Sequence, residues 1–226
     1  MTIREIVLDT ETTGLDPDAG HRIVEVACVE LINHLPSGRT FQRYLNPERD
    51  MPTDAQAVHG LTTEFLSGQP VFASVVSEFL EFIADSPLVI HNAEFDLKFV
   101  NAELTKLGFP RLVARRALDT VQLARRKFPG APASLDALCA RFSIDNSSRT
   151  LHGALLDAQL LSEVYLELIG GRQATIELVA GPIAAAVVTK SDLPIRPVRP
   201  HAPSPEELAA HAALLQQIKT PLWLEA

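Results

Sequence analysis

The sequence predicts a mixed α/β domain followed by an appendage. Three β-rich stretches, separated only by turn residues, fill the first 45 positions. Between residues 70 and 169, short apolar runs alternate with segments of helical spacing. Past Gly171 that regularity ends, and five prolines fall within residues 194–205.

Taken in order, Ile3–Leu8 reads as a strand that becomes more apolar toward its end, and Asp9–Gly14 follows it. Asp16-Pro17 marks a turn. Arg22–Ile32, rich in Ile and Val, is a second strand. Gly38–Leu45 is a third, after the turn residues Pro36-Ser37-Gly38, so the three suggest an antiparallel meander. Pro70–Ala84 has helical spacing in Val71, Val75, Phe79, Phe82 and Ile83. Pro87–Ile90 is a short buried strand that ends at His91-Asn92. Glu94–Leu107 is helical and stops at Gly108. A strand-to-helix unit starts at Leu118, and Ser134 caps a helix over Leu135–Phe142. Gly153–Ile169 is a long amphipathic helix closed by Gly170-Gly171.

Pro194–Pro205 can be neither helix nor central strand and reads as an extended linker. Pro205–Ile218 then reads as a helix with Leu208, Leu214, Leu215 and Ile218 as apolar positions, and Leu222-Trp223-Leu224 lies beyond it. The expected organisation is a domain over 1–171, a linker over 172–205 and a helical tail over 206–226.

A chain of 226 residues can bury a core without covalent staples. Cys28 and Cys139 sit in apolar runs and read as buried, reduced thiols. No apolar run approaches the ~20 residues of a membrane span, and Met1–Arg4 leads straight into strand, so a soluble cytoplasmic protein with no membrane partner is expected. The net charge of −8 argues against a general nucleic-acid binder. It does not argue against an enzyme that holds a nucleic-acid end through cations, because acidic clusters become attractive once divalent ions fill them.

Local spacing therefore decides the chemistry. Asp9 and Glu11, two apart at the end of a strand, share a face. Adjacent carboxylates repel and need a cation or a shared proton, and Mg²⁺ or Mn²⁺ prefers such oxygen donors. Asp96 follows the strand at Leu88–Ile90, where a sheet opens to ligand. Asp157 lies in a helix otherwise filled with Ala and Leu, so its carboxylate needs a partner. His152, five residues earlier and ahead of that helix, is suited to take a proton from water near neutral pH. Asp85 and Glu94 read as solvated, and His91 as structural.

Asp9-Thr-Glu11-Thr-Thr-Gly14, His91-Asn-Ala-Glu-Phe-Asp96 and His152-Gly-Ala-Leu-Leu-Asp157 resemble, in order and spacing, the three exonuclease motifs of the His-containing branch of the DEDD superfamily. The resemblance is greatest to the epsilon proofreading subunits of bacterial DNA polymerase III and covers roughly residues 3–171. It implies a ribonuclease H-like mixed five-stranded sheet flanked by helices. It implies that Asp9, Glu11, Asp96 and Asp157 hold two divalent metal ions, Mg²⁺ or Mn²⁺, and that His152 is the general base. The reaction is then two-metal hydrolysis of the 3′-terminal phosphodiester, releasing nucleoside 5′-monophosphates.

The resemblance extends to substrate and partners. Thr10, Thr12 and Thr13 would present backbone N–H groups or hydroxyls to the terminal nucleotide, His59 its sugar or base contact, and Phe95 a wall beside the sugar. Asn92 would orient the motif. The substrate is a single-stranded or frayed DNA 3′ end. Gln173, Ile176 and Leu178 are similar in form and position to a sliding-clamp-binding segment. The apolar tail matches in position the segment that anchors the polymerase III alpha subunit, and a theta-like small subunit is a further candidate partner. Two other readings stay open: a free-standing RNA or oligonucleotide 3′→5′ exonuclease, and a noncatalytic polymerase–clamp scaffold. The intact set of Asp9, Glu11, Asp96, His152 and Asp157 weighs against the scaffold.

Overall fold

The computed structural model describes residues 2–147, 149, 151–171 and 202–218. The chain divides into two compact units, Met1–Ile176 and Glu177–Ala226. The first begins with β1 (Arg4–Thr12), β2 (Ile23–Ile32) and β3 (Leu35–Tyr44), an antiparallel meander. β1 runs four residues past its apolar stretch, through Asp9 and Glu11, because β2 pairs with it from Arg4↔Ile32 to Thr12↔Ile23. Its ladder breaks only between Glu11 and Thr12, where the strand leaves the sheet. The turn into β3 lies earlier than predicted. Asn33 and His34 adopt positive φ, at 50° and 68°, the paired left-handed conformation that suits a two-residue hairpin loop. Pro36-Ser37-Gly38 is thus inside β3, which tolerates proline because it is an edge strand.

Residues 46–70, where no periodicity was legible, hold two short helices, α1 (Thr53–His59) and α2 (Thr63–Ser67). Gly60, at φ 76°, closes α1, and the Thr62 hydroxyl caps α2. There follow α3 (Phe72–Ile83), β4 (Leu88–Ile90), α4 (Ala93–Lys106), β5 (Ala117–Asp119), α5 (Thr120–Lys127), α6 (Leu135–Phe142) and α7 (Ala154–Ile169). β4 joins β1 in parallel and β5 joins β4 in parallel, so the five-stranded mixed sheet has the order β3-β2-β1-β4-β5.

Alternation along β1 builds three layers. Ile6 and Leu8 pack with α3 and α4, around the fully buried Phe79 and Phe99. Val7, with Val29 and Val89, packs against α6 and α7 on the other face. Burying each such large side chain contributes ~1.5–3 kcal/mol. Helix α7 is also fixed at its far end, where Tyr165 Oη donates to the buried Glu5 Oε1 at 2.7 Å. Cys28 and Cys139 are buried free thiols. No described helix is long and apolar enough to cross a membrane. In the second unit, α8 (Pro205–Gln217) begins with a capping box between Ser204 and Glu207, and Leu208 and Leu214 are exposed.

Candidate active site

The residues singled out in the sequence converge where β1 and β4 end. Asp9 and Glu11 point to the α7 side of the sheet, since Val7, one alternation earlier, lies in that layer. Asp96 comes from the opposite layer. Asn92 takes a left-handed conformation at φ 66°, turning the chain sharply after β4 so that α4 starts at the sheet edge. Asp96 stands in its first turn and is 3% exposed. Thr10 faces that layer, and its hydroxyl donates to Asp96 Oδ1 at 2.7 Å. Asp157 stands in the first turn of α7 and is 4% exposed. His152 precedes that helix; its backbone N–H donates to the Val58 carbonyl at 3.1 Å, and its ring is half exposed.

The electrostatics reflect crowded carboxylates. Burial holds Asp9 well above the usual carboxylate range, and Asp96, Glu11 and Asp157 push it the same way. Glu11 is raised to about 8, by burial first and then by Asp157 and Glu25. Burial raises Asp96 to about 7 against its hydrogen bonds from Thr10. Among the described residues Asp9 has no ion-pair partner, and Arg149 is the cation that works in the opposite direction on Glu11. One ligand atom each from Glu11, His152 and Asp157 lie within 4.8 Å of one another. Hard oxygen donors crowded in this way suit divalent metal ions, which would supply positive charge that Asp9, Glu11 and Asp96 do not receive from an ion pair among the described residues.

Two cavities are lined by members of this carboxylate group. One of about 530 Å³ is lined by Thr10, Glu11, Thr12, Gly14, His59 and Phe95. Another of about 250 Å³ is lined by Asp9, His91, Asp136, Arg149, His152 and Asp157. The threonine hydroxyls are engaged within the protein. Thr10 serves Asp96, Thr12 Oγ1 donates to the Gly14 carbonyl at 2.6 Å, and Thr13 Oγ1 bonds the His21 ring at 3.1 Å and accepts the Arg22 N–H. Gly14 is required here because a Cβ would lie 2.4 Å from the His21 ring.

His59, at the end of α1, is buried. Its Nδ1 accepts the Leu61 N–H at 3.1 Å, and its Nε2 has no hydrogen-bond partner among the described residues. The Thr12 backbone is nearest to acting as one but falls short of bonding geometry. Phe95 packs on Phe99, ring centroids 5.0 Å apart, and borders the cavity. His91 bonds Thr120 Oγ1 at 2.9 Å, a structural contact, and Asp85 and Glu94 are exposed. Gln173, Ile176 and Leu178 lie outside the described residues, as do Leu222, Trp223 and Leu224.

Arg149 was not foreseen. Its Nε and Nη2 donate to Asp157 Oδ1 and Oδ2 at 2.5 and 2.7 Å, and Nη2 is 2.9 Å from His152 Nδ1. The signal was present in the sequence: a buried Asp157 required a cation, and Arg149 is the basic residue just ahead of its helix.

Comparison with known proteins shows the family. The exonuclease family (RNase_T) matches residues 6–165. DNA polymerase III subunit epsilon of Rickettsia typhi is 47% identical over 225 residues, covering 96% of this chain and 97% of that one. The Escherichia coli K12 protein of the same name is 42% identical over 227 residues, covering 96% and 93%. Among solved structures, exonuclease X in complex with 5′ overhanging duplex DNA is 25% identical, with a TM-score of 0.58 over 73% of this chain and 90% of that one. The nuclease domain of 3′hExo, a DEDDh family member bound to rAMP, shares the fold at 19% identity, with a TM-score of 0.64 over 74% and 91%.

Proposed function

Since the chain belongs to the exonuclease family, alongside the DNA polymerase III epsilon subunits it matches over nearly its whole length, we propose that it is the proofreading 3′→5′ exonuclease of a bacterial replicative polymerase. The convergence of Asp9, Glu11, Asp96 and Asp157, with Glu11 and Asp157 close to His152 and Glu11 lining a cavity of about 530 Å³, carries this reading. Two divalent ions, Mg²⁺ or Mn²⁺, held by these four carboxylates would neutralise the phosphodiester and acidify the attacking water.

The chain's own groups do the rest. The 3′-terminal nucleotide enters the larger cavity, with Phe95 as a wall, His59 as a donor and the Thr10–Thr13 backbone along one side. His152 takes the proton of the attacking water. Its Nδ1 lies 3.3 Å from Asp157 Oδ2, and the tautomer that donates there leaves the Nε2 lone pair free for that proton. Water adds to phosphorus, the bond to the penultimate O3′ breaks, solvent supplies a proton to O3′ while His152 returns its own to solvent, and a nucleoside 5′-monophosphate leaves. A frayed, mismatched end costs little to unstack, so single-strand access itself selects errors.

The acidic domain grips free DNA weakly, and partners supply effective concentration. The tail around Leu222-Trp223-Leu224 anchors the polymerase alpha subunit, Gln173, Ile176 and Leu178 engage the sliding clamp, and a theta-like subunit is a further partner. As a replication subunit the protein works in the cytoplasm. The test is stepwise shortening of a 5′-labelled, 3′-mismatched primer–template in Mg²⁺ or Mn²⁺, repeated in EDTA, with Asp157→Ala and with an RNA strand. Loss of shortening in EDTA and in the variant, with mismatched ends removed faster than paired ones, supports the reading. RNA cut much faster than DNA overturns the polymerase assignment, and no shortening by folded protein overturns the enzyme.

A further inference from the structure

Helix α7 carries Asp157 in its first turn but starts without a cap of its own. Its N-cap residue is Gly153, which has no side chain to accept the first amide hydrogens. The acceptor comes from the sheet instead. Glu25 Oε2 accepts the Ala154 N–H at 3.1 Å. The other oxygen, Oε1, accepts from Gln42 Nε2 at 2.7 Å. Glu25 is 2% exposed and lies directly opposite Glu11 in the β1–β2 register.

A buried carboxylate normally pairs with a cation. Glu25 has none among the described residues, unlike Glu5, Glu30 and Glu103, which face His34, Arg4 and Arg22. Amide hydrogens and the positive end of a helix are what balance its charge.

We propose that Glu25 is a positioning residue for hydrolysis: its carboxylate fixes the first turn of α7, and so holds Asp157 and the His152 lead-in against Glu11 and Asp9. Val58 holds the His152 backbone from the α1 side, so Glu25 and Val58 fix the two ends of the segment that joins the proposed base to the helix. Glu25 is buried behind Glu11 in the sheet and acts through Asp157 and His152. The inference rests on the exonuclease reading above.

The test uses the full chain on a single-stranded oligonucleotide with Mg²⁺, together with Mn²⁺ titration followed by electron paramagnetic resonance. If the wild-type protein fails to cleave, the exonuclease reading falls and Glu25 is not the reason. Glu25→Met keeps the volume and removes the acceptor. It should lower kcat about 10–100-fold with KM nearly unchanged, and weaken Mn²⁺ binding about tenfold, as losses of groups that orient metal ligands do. Glu25→Gln keeps an acceptor oxygen and should recover most of both. Gly153→Ser, added to Glu25→Met, supplies a local cap. It fits without strain, because the backbone there is extended and a Cβ would meet nothing within 4 Å. It should restore kcat at least several-fold. Wild-type kcat and Mn²⁺ affinity in Glu25→Met overturn the proposal, as does a folded double variant with no recovery. If Glu25→Met does not fold, the double variant decides: restored folding and turnover support the cap, and an unfolded double variant overturns it.

Discussion

The Arg149 guanidinium closes on both oxygens of Asp157, at 2.5 and 2.7 Å, and the same Nη2 reaches His152 Nδ1 at 2.9 Å. These contacts conflict with the competent site. If Nδ1 accepts from Arg149, the imidazole proton sits on Nε2, and the base has no free lone pair. A cation at Asp157 and a working His152 both require the guanidinium to give way. Removing one partner of a buried pair costs ~3–5 kcal/mol when the other charge is stranded. Arg149→Met should therefore lower the melting temperature in EDTA, and the deficit should shrink in Mg²⁺, which takes over as counter-charge. Equal deficits in both buffers would mean that Arg149 and the metal do not compete for Asp157.

The pH dependence of stability should report the carboxylates directly. Glu11 and Asp96 bind protons more tightly when folded, near 8 and 7, than their ordinary values of 4.5 and 3.8. Between about pH 4 and 8 the folded protein thus holds more protons than the unfolded chain, and stability of the metal-free protein falls as pH rises through that window. Divalent ions replace those protons and bind better as the groups ionise. The melting temperature in Mg²⁺ minus that in EDTA should widen by several degrees between pH 5.5 and 8.5, at about 2–4 °C for each kcal/mol. A gap independent of pH, measured by scanning calorimetry, would place the stabilising ions elsewhere.

Much of this was legible because strand and helix periods are local. The acids of Asp9-Thr-Glu11 lie at the end of an apolar run, and Asp157 interrupts an Ala/Leu face. The two short helices over residues 53–67 were not legible, since each spans fewer than two or three turns and no apolar stripe can repeat. The β2–β3 turn was misplaced because Pro36 and Gly38 are strong turn signals, yet an edge strand accommodates them. Thr10 illustrates the hardest class. Its bond to Asp96 joins residues 86 apart, a pairing set by the crossover from one layer to the other.

The tail should separate catalysis from delivery. Leu222→Ala and Trp223→Ala lie far along the chain from Asp9–Asp157, beyond the proline-rich stretch. Release of mononucleotides from free oligonucleotide should stay within about twofold of wild type, while copurification with the polymerase subunit and proofreading in its presence are lost, because a tether supplies effective concentration rather than chemistry. Gln173→Ala with Ile176→Ala should weaken retention on immobilised clamp without touching that hydrolysis. Impaired hydrolysis of free oligonucleotide in the tail variants would show instead that this segment supports the nuclease domain.

His59 offers a case in which stability and binding should part. Its Nδ1 accepts the Leu61 N–H, so the neutral ring, which burial favours, carries its proton on Nε2. That N–H is buried without a partner in bonding geometry among the described residues, and the residue lines the larger cavity. Leaving such a donor unsatisfied costs about 1–3 kcal/mol, which an acceptor on the terminal nucleotide would return on binding. His59→Asn places an amide oxygen near the Nδ1 position, preserves the Leu61 bond and takes the donor away from the Nε2 position, though its own amide N–H groups remain. The melting temperature should change little, while KM for a single strand rises about tenfold, near 1.4 kcal/mol, with kcat little changed. Phe95→Ala, which loses packing on Phe99 as well as a cavity wall, should instead lower stability and raise KM together. If His59→Asn loses stability and keeps KM, His59 serves the packing of α1 and not the substrate.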